Sequence, residues 1–345
     1  MDTIHTLTQL LSDSHCEYQV FDLGRRITKI EPSAFAKVEL GRQAYPFPMQ
    51  RKAHIAIAYW NESKQPWIWF LKFELDERGL LKQVGVGNFI KYIIEAMGTR
   101  LGGELSEEQQ EKLANNPYTF KPAEDKMAVF HSQVRAKLSM PTSQYYEHAQ
   151  HYFSGGLGWN NWQTIGLQGI ADICARFGIV QNSVMLKKAL NQLPNEPLYA
   201  LLGVLEHCEL PENLGKALQE KALSECNSDT PDLFLVSALV RALAGSPNSL
   251  SLVVDHILQS PRLSHQEVLV GIAGRSWSSL ADTERAGQFL LRLAQTGNQN
   301  LFNQLFADLV MLPELRMVLL PLLHNAPSQE LTTALLKLQQ NTRSQ

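Results

Sequence analysis

The chain has 345 residues, 44% of them apolar and 19% charged, with 31 Lys and Arg against 34 Asp and Glu for a formal charge of −3. That length exceeds what one core usually fills, and the composition excludes a disordered chain, so two domains or one domain joined to a repeat array are expected. The balanced charge lacks the basic stripe with which a protein neutralises phosphates; Arg25, Arg26, Lys29, Arg42, Arg51 and Lys52 form only a loose cluster, interrupted by Asp22, Glu31 and Glu39, so nucleic acid is not the expected partner.

The first residues, MDTIHTLTQLL, place no Lys or Arg ahead of a short apolar stretch, and no run of about twenty apolar residues follows. Neither a secretory signal nor membrane insertion is expected, which leaves the cytoplasm. Cys16, Cys174, Cys208 and Cys226 form no CxxC pair and read as small core residues.

In chain order, residues 3–12 suit a short amphipathic helix with Ile4, Leu7, Leu10 and Leu11 on one side. EYQVFDLG and RRITKI, rich in β-branched and aromatic residues around Leu23-Gly24, read as a hairpin, and the Pro46 and Pro48 region reads as a crossing loop. The clearest strands are 53–60, AHIAIAYW, and 67–75, WIWFLKFEL; Trp67, Trp69, Leu71, Phe73 and Leu75 share one face at period two. Helical periodicity then begins with Phe89, Ile90, Ile93, Ile94 and Met97, stopping at Gly98. A second helix is expected from Leu105 with Ser106 as its N-cap, and a third over 124–138.

From residue 163 onward only helical stretches recur, with prolines between them at positions such as Pro211, Pro247, Pro261 and Pro327. Taken in pairs, their first helices begin near 163, 197, 231, 265 and 299, a spacing close to 34. A two-helix unit of that length buries its apolar stripe against its neighbours, as in a solenoid. Neither the tetratricopeptide nor the ankyrin signature is present. The expectation is therefore an α+β N-terminal domain (1–122), a helical and aromatic linking segment (123–162), and an all-α, HEAT-like or irregular α-α superhelical domain (163–345). A compact, non-repetitive helical domain is the alternative.

Catalytic motifs are wanting. VGVGN at 84–88 has Ile90 where a dinucleotide fingerprint needs glycine, SGGLG at 154–158 lacks the GK[ST] of a P-loop, and GxSxG is absent. His148 and His151 beside Glu147 invite a metal, but no third ligand is indicated, so no metal and no cofactor are expected. The aromatic segment YYEHAQHYFSGGLGWNNW at 145–162 fits either a core and linker or a binding surface.

A superhelix offers an extended face to another protein, so a noncatalytic interaction role leads. Its candidate contacts are Trp277, Arg241, Arg275 and Arg316, with a loop tryptophan folded back over the array as the other reading of Trp277. The second hypothesis is an enzyme with its site between the domains, where Arg25, Arg26, His148, His151, Trp159 and Trp162 would converge.

The strings FDLGRRITKI, YPFPMQRKAHIAIAYW, PWIWFLKFELDERG and SGGLGWNNWQTIGLQGIAD resemble an uncharacterised gamma-proteobacterial family catalogued as a domain of unknown function (DUF3549-like). The resemblance covers nearly the whole chain. It implies a bacterial cytoplasmic protein and transfers no catalytic or binding residue.

Overall fold

The computed structural model describes residues 4–62, 64–97, 101, 106–114 and 116–343. The chain divides into two compact units at Ala123 and Glu124. The first contains α1 (Leu7–Asp13), β1 (Glu17–Asp22), β2 (Thr28–Ile30), α2 (Pro32–Glu39), β3 (Lys52–Trp60), β4 (Trp67–Glu74), α3 (Gln83–Met97) and α4 (Glu107–Ala114). The helix stop expected at Gly98 and the helix start expected at Leu105 lie outside the described residues.

The strands form an antiparallel sheet in the order β2-β1-β3-β4. Its register sets Ile30, Val20, Ile57 and Trp69 in one row across all four strands, and all four are buried. This is the apolar face implied by the period-two pattern. Phe89 of α3 packs into it, meeting Trp69 and Phe73 edge-on at 5.9 and 6.2 Å. Residues 118–120 run along the outer edge of β4, where Lys72 donates to the Tyr118 carbonyl at 2.7 Å and Phe120 to the Phe70 carbonyl at 3.1 Å. That pairing covers backbone groups an edge strand would otherwise offer to other chains.

Two buried carboxylates hold the loops of this unit. Asp22 accepts the Tyr45 hydroxyl at 2.7 Å and the Arg25 backbone N–H at 3.0 Å. Glu39 accepts the backbone N–H groups of Leu7 at 2.7 Å and Thr8 at 3.1 Å, an anion at the start of α1.

The second unit is wholly helical: α5 (Glu124–Lys137), α6 (Tyr146–Phe153), α7 (Leu167–Cys174), α8 (Val180–Ala189), α9 (Asn195–Leu205), α10 (Glu212–Cys226), α11 (Leu233–Ala242), α12 (Pro247–Gln259), α13 (Gln266–Arg275), α14 (Thr283–Gln295), α15 (Gln299–Val310), α16 (Pro313–Leu322) and α17 (Gln329–Arg343), with short 3₁₀ turns between some of them. Alternate helices fall into two layers. In one, α5, α7, α9, α11, α13 and α15 pack successively; in the other, α6, α8, α10, α12 and α14 do, and α17 follows α14.

Hydrogen bonds tie several helices to their counterparts in the next pair. Ser237 Oγ donates to the Glu267 carbonyl at 3.1 Å, 30 residues away, Arg292 Nε to Leu258 at 2.7 Å, 34 away, and Ser276 Oγ to Val240 at 2.9 Å, 36 away. In this register GIADIC (169–174), GVLEHC (203–208), SALVRA (237–242) and GIAGRS (271–276) stand 34 residues apart at the ends of α7, α9, α11 and α13. The chain is thus a mixed α/β region followed by a repeat-like all-α array.

Candidate interaction surface

The array begins on a satisfied polar network. Asp172, fully buried near the end of α7, accepts Ser132 Oγ at 2.8 Å, the Ser143 backbone N–H at 2.9 Å and Arg176 Nη1 at 3.1 Å. Burial works to raise its carboxyl, but the Ser143 and Ser132 hydrogen bonds and the Arg176 charge hold it below the usual carboxylate range. The Arg176 guanidinium also lies 5.9 Å from the centre of the Tyr146 ring. Tyr146 OH in turn accepts from Asn182 Nδ2 at 3.1 Å and Gln150 Nε2 at 2.8 Å.

This network fixes the aromatic segment on α7 and α8. Tyr146, Tyr152 and Phe153 are buried, so the core reading accounts for them. The glycines turn the chain: Gly155, with φ +86°, would bring a Cβ to 3.3 Å from the Trp159 ring. Trp159 stands edge-on to Tyr152 at 5.8 Å and accepts its hydroxyl at 2.9 Å, and Trp162 is half-buried in the same 3₁₀ turn. His148 meets Thr164 Oγ1 at 3.0 Å, and exposed His151 lies where a Cβ on Gly156 would go. These four residues belong to the helical unit, whereas Arg25 and Arg26 are buried in the α+β unit, where Arg25 Nε donates to the Pro48 carbonyl at 2.9 Å.

The interaction candidates divide differently. Trp277, only 4% exposed, opens a 3₁₀ turn after α13 and presents no open ring to a partner. Arg316 donates through Nε to the Val310 carbonyl at 3.1 Å and so caps the end of α15. Arg241 and Arg275 are brought together by a residue that sequence reasoning passed over, Glu206 at the end of α9.

Glu206 is buried and surrounded by cationic or imidazole nitrogens: Arg275 Nε at 2.8 Å, His207 Nε2 at 3.4 Å and Arg241 Nε at 3.7 Å. His207, Arg241 and Arg275 occupy the same place in three successive copies of the hexapeptide, so the repeat itself builds the column. Arg275 engages the acid, whereas Arg241 stops short. Among the described residues the buried Arg241 Nε has no hydrogen-bond partner. Its Cγ lies 3.5 Å from where a Cβ on Gly271 would stand.

The helices that carry this column also bear exposed apolar residues. Helix α11 is flanked by α9 and α13 in its own layer and backed by α10 and α12, and its residues 236–240 and Ala242 are buried. Phe234 of α11 is 63% exposed and Val270 of α13 is 41% exposed. On α9, Tyr199, Gly203 and Glu206 share a side at helical spacing. Burial raises the Tyr199 phenol, the carboxylates of Asp232 and Glu225 add to that, and Arg241 opposes them, so Tyr199 stands in the field of the same column.

Gly203 separates this place from its equivalents. A Cβ on Gly169 would strike the Tyr145 carbonyl at 2.7 Å, and one on Gly271 would meet Ser237 Oγ at 2.6 Å; close packing accounts for both glycines. Gly203 is exposed inside α9 with nothing within 4 Å of the corresponding position. Glycine in a helix interior costs about 1 kcal/mol relative to alanine, and no internal contact here returns it. The signal for the site was the 34-residue column of His207, Arg241 and Arg275, with Glu206 beside it, visible only once the hexapeptides are aligned.

Among the described residues no three His, Cys, Asp or Glu side chains converge as metal ligands. Cys174 is buried beside Cys208, and burial first, then Cys208, raises its thiol well above the ordinary value, away from nucleophilic chemistry. No curated protein and no solved structure matches the chain. A family model described as "Protein of unknown function (DUF3549)" matches residues 2–339, and the chain belongs to that family.

Proposed function

We propose that this protein acts without catalysis, by binding another protein through residues that α9, α11 and α13 leave exposed. The carrying observation is Gly203, a helix-interior glycine of α9 that packs against nothing, together with the exposed Phe234 and the half-buried Arg241 on the neighbouring α11. Backbone left bare at a thermodynamic cost permits close approach by a partner chain, and a rigid aromatic ring next to an arginine is the composition of an interface centre. The array supplies the rigidity, because every helix that carries these residues is held on both flanks.

Four free, buried cysteines and the family resemblance support a bacterial cytoplasm as the place of action. Among the described residues no helix is long and apolar enough to cross a membrane. The test is affinity capture from the source cell with the whole chain as bait. A partner should be retained by the wild type and by Leu252→Ser, which removes an exposed leucine from the other layer, and lost with Phe234→Ser. Equal recovery by all three baits, or no partner at all, overturns the reading.

A further inference from the structure

We propose that the exposed side of α16 is a self-association surface: the α16 of a second copy of this chain lies against it antiparallel, with Glu314 of each chain meeting His324 of the other. The starting point is a helix that carries apolar residues on both sides and is covered on one. Leu315, Leu319 and Leu322 are buried and form its inner side. Glu314, Met317, Leu320 and Pro321 share the opposite side at helical spacing, His324 continues it in the turn that follows, and all five are exposed. Met317 reaches 79% exposure and Leu320 40%. A helix apolar all round is ordinarily buried all round. Here α17, not α16, follows α14 in its layer, and the stripe on α16 stays uncovered.

The stripe is complementary to itself, which selects a second copy as its occupant. Glu314, Met317, Pro321 and His324 are spaced three, four and three residues apart, a pattern that reads the same from either end. Turning one helix end for end exchanges Glu314 with His324 and Met317 with Pro321. An antiparallel two-fold contact therefore brings a carboxylate to an imidazole donor at both of its ends, and Met317 to Leu320 and Pro321 in its middle. A parallel contact would set acid beside acid and lose both pairs. The steps of three and four are those of a coiled-coil seam. One short helix per chain buries less than the about 1,200 Å² at which standard interfaces begin, so the dimer is a transient one, formed at high protein concentration.

The test is sedimentation equilibrium of the full-length protein from micromolar to millimolar concentration. Wild type should pass from monomer to dimer. Met317→Ser should weaken the association by about tenfold or more, and Glu314→Lys, which sets two basic groups together at each end, should weaken it as well. Glu314→Lys combined with His324→Glu restores opposite charges and should recover the wild-type constant to within about threefold. Leu252→Ser, on α12, should leave it unchanged. Circular dichroism melting of each variant separates loss of association from loss of fold. A wild type that stays monomeric at every concentration, which would leave the stripe to a different protein, overturns the proposal. So does a dimer that Met317→Ser leaves intact, or a double variant that associates no more tightly than Glu314→Lys alone.

Discussion

Asp172 and Glu206 stand 34 residues apart, near the ends of the neighbouring helices α7 and α9, and each is buried against arginine. Around Asp172 the protein supplies two hydroxyl or backbone donors and a guanidinium, each within hydrogen-bond distance. Around Glu206 one arginine closes to 2.8 Å and another halts at 3.7 Å. The same position of the repeat is thus closed by short hydrogen bonds in one copy and shared between two arginines at unequal distances in the next. Where the array closes on the aromatic segment the acid meets every donor within hydrogen-bond distance; between α9 and α11 one buried arginine nitrogen stays at ion-pair distance.

The largest effect expected from breaking this contrast is at Asp172. Asp172→Ala strands the Arg176 charge and the Ser143 N–H and should cost about 3–5 kcal/mol in chemical denaturation. The pH dependence has a definite sign. Because the native carboxyl is held below its ordinary range, its stabilisation is complete above the unfolded-state value of about 3.9 and is lost as pH falls through the lower native value. The stability of Asp172→Asn, measured across the same acid range, should lack that contribution. A wild-type slope reproduced in the variant would remove Asp172 from the account.

Next in size is Arg275→Gln, which withdraws the close partner of the Glu206 carboxylate and should cost about 2 kcal/mol. Denaturation midpoints compared with Arg316→Gln control for the general loss of a charge near a helix end. No change at Arg275 would mean that Arg241 moves in to replace it, and the asymmetry between the two arginines would vanish.

Much of this architecture was legible because each element's periodicity agreed with its burial. The segments 53–60 and 67–75 are β3 and β4 almost to the residue: β4 alternates buried and half-buried positions and leaves a period-two trace, whereas β3, buried on both faces from Ile55 to Trp60, is marked by an apolar run. Helix α2 went unread because PSAFAKVE has only Phe35 and Val38 to mark a buried side, with Pro32 at its first position as the only start signal. The array helix expected to begin near 163 begins later, because Gly166 separates a 3₁₀ turn from α7.

The site was harder to read than the fold. Arg241 and Arg275 were identifiable as basic residues near helix ends, but their relation through Glu206 spans 69 residues and depends on the stacking of three hairpins. Trp277 drew attention by standing outside an apolar stripe in sequence, yet its turn buries it against the array. Gly203 carries no signal by itself. It becomes informative only beside Gly169 and Gly271, whose neighbours explain them.

That comparison of glycines gives effects of opposite sign. Gly203→Ala should stabilise the protein by about 1 kcal/mol, because the new methyl group meets no atom and the helix gains a better former. Gly271→Ala should destabilise it by about 1–3 kcal/mol, because Ser237 Oγ lies 2.6 Å from the new carbon. Thermal melts of the two variants settle the matter, and a loss of stability at Gly203 would show a packing role there.

The smallest expected effect is at Arg241. Replacing a buried, paired arginine normally exposes the desolvated partner it leaves behind, as at Arg275. Here Glu206 keeps its 2.8 Å bond to Arg275, and Arg241→Gln removes a guanidinium whose Nε had no acceptor, so the ion-pair loss and the relief of an unsatisfied donor act in opposite directions. Stability should stay within about 0.5 kcal/mol of wild type. A drop near that of Arg275→Gln would show that the 3.7 Å pair is an established structural bond, and Arg241 would then have nothing spare to offer a partner.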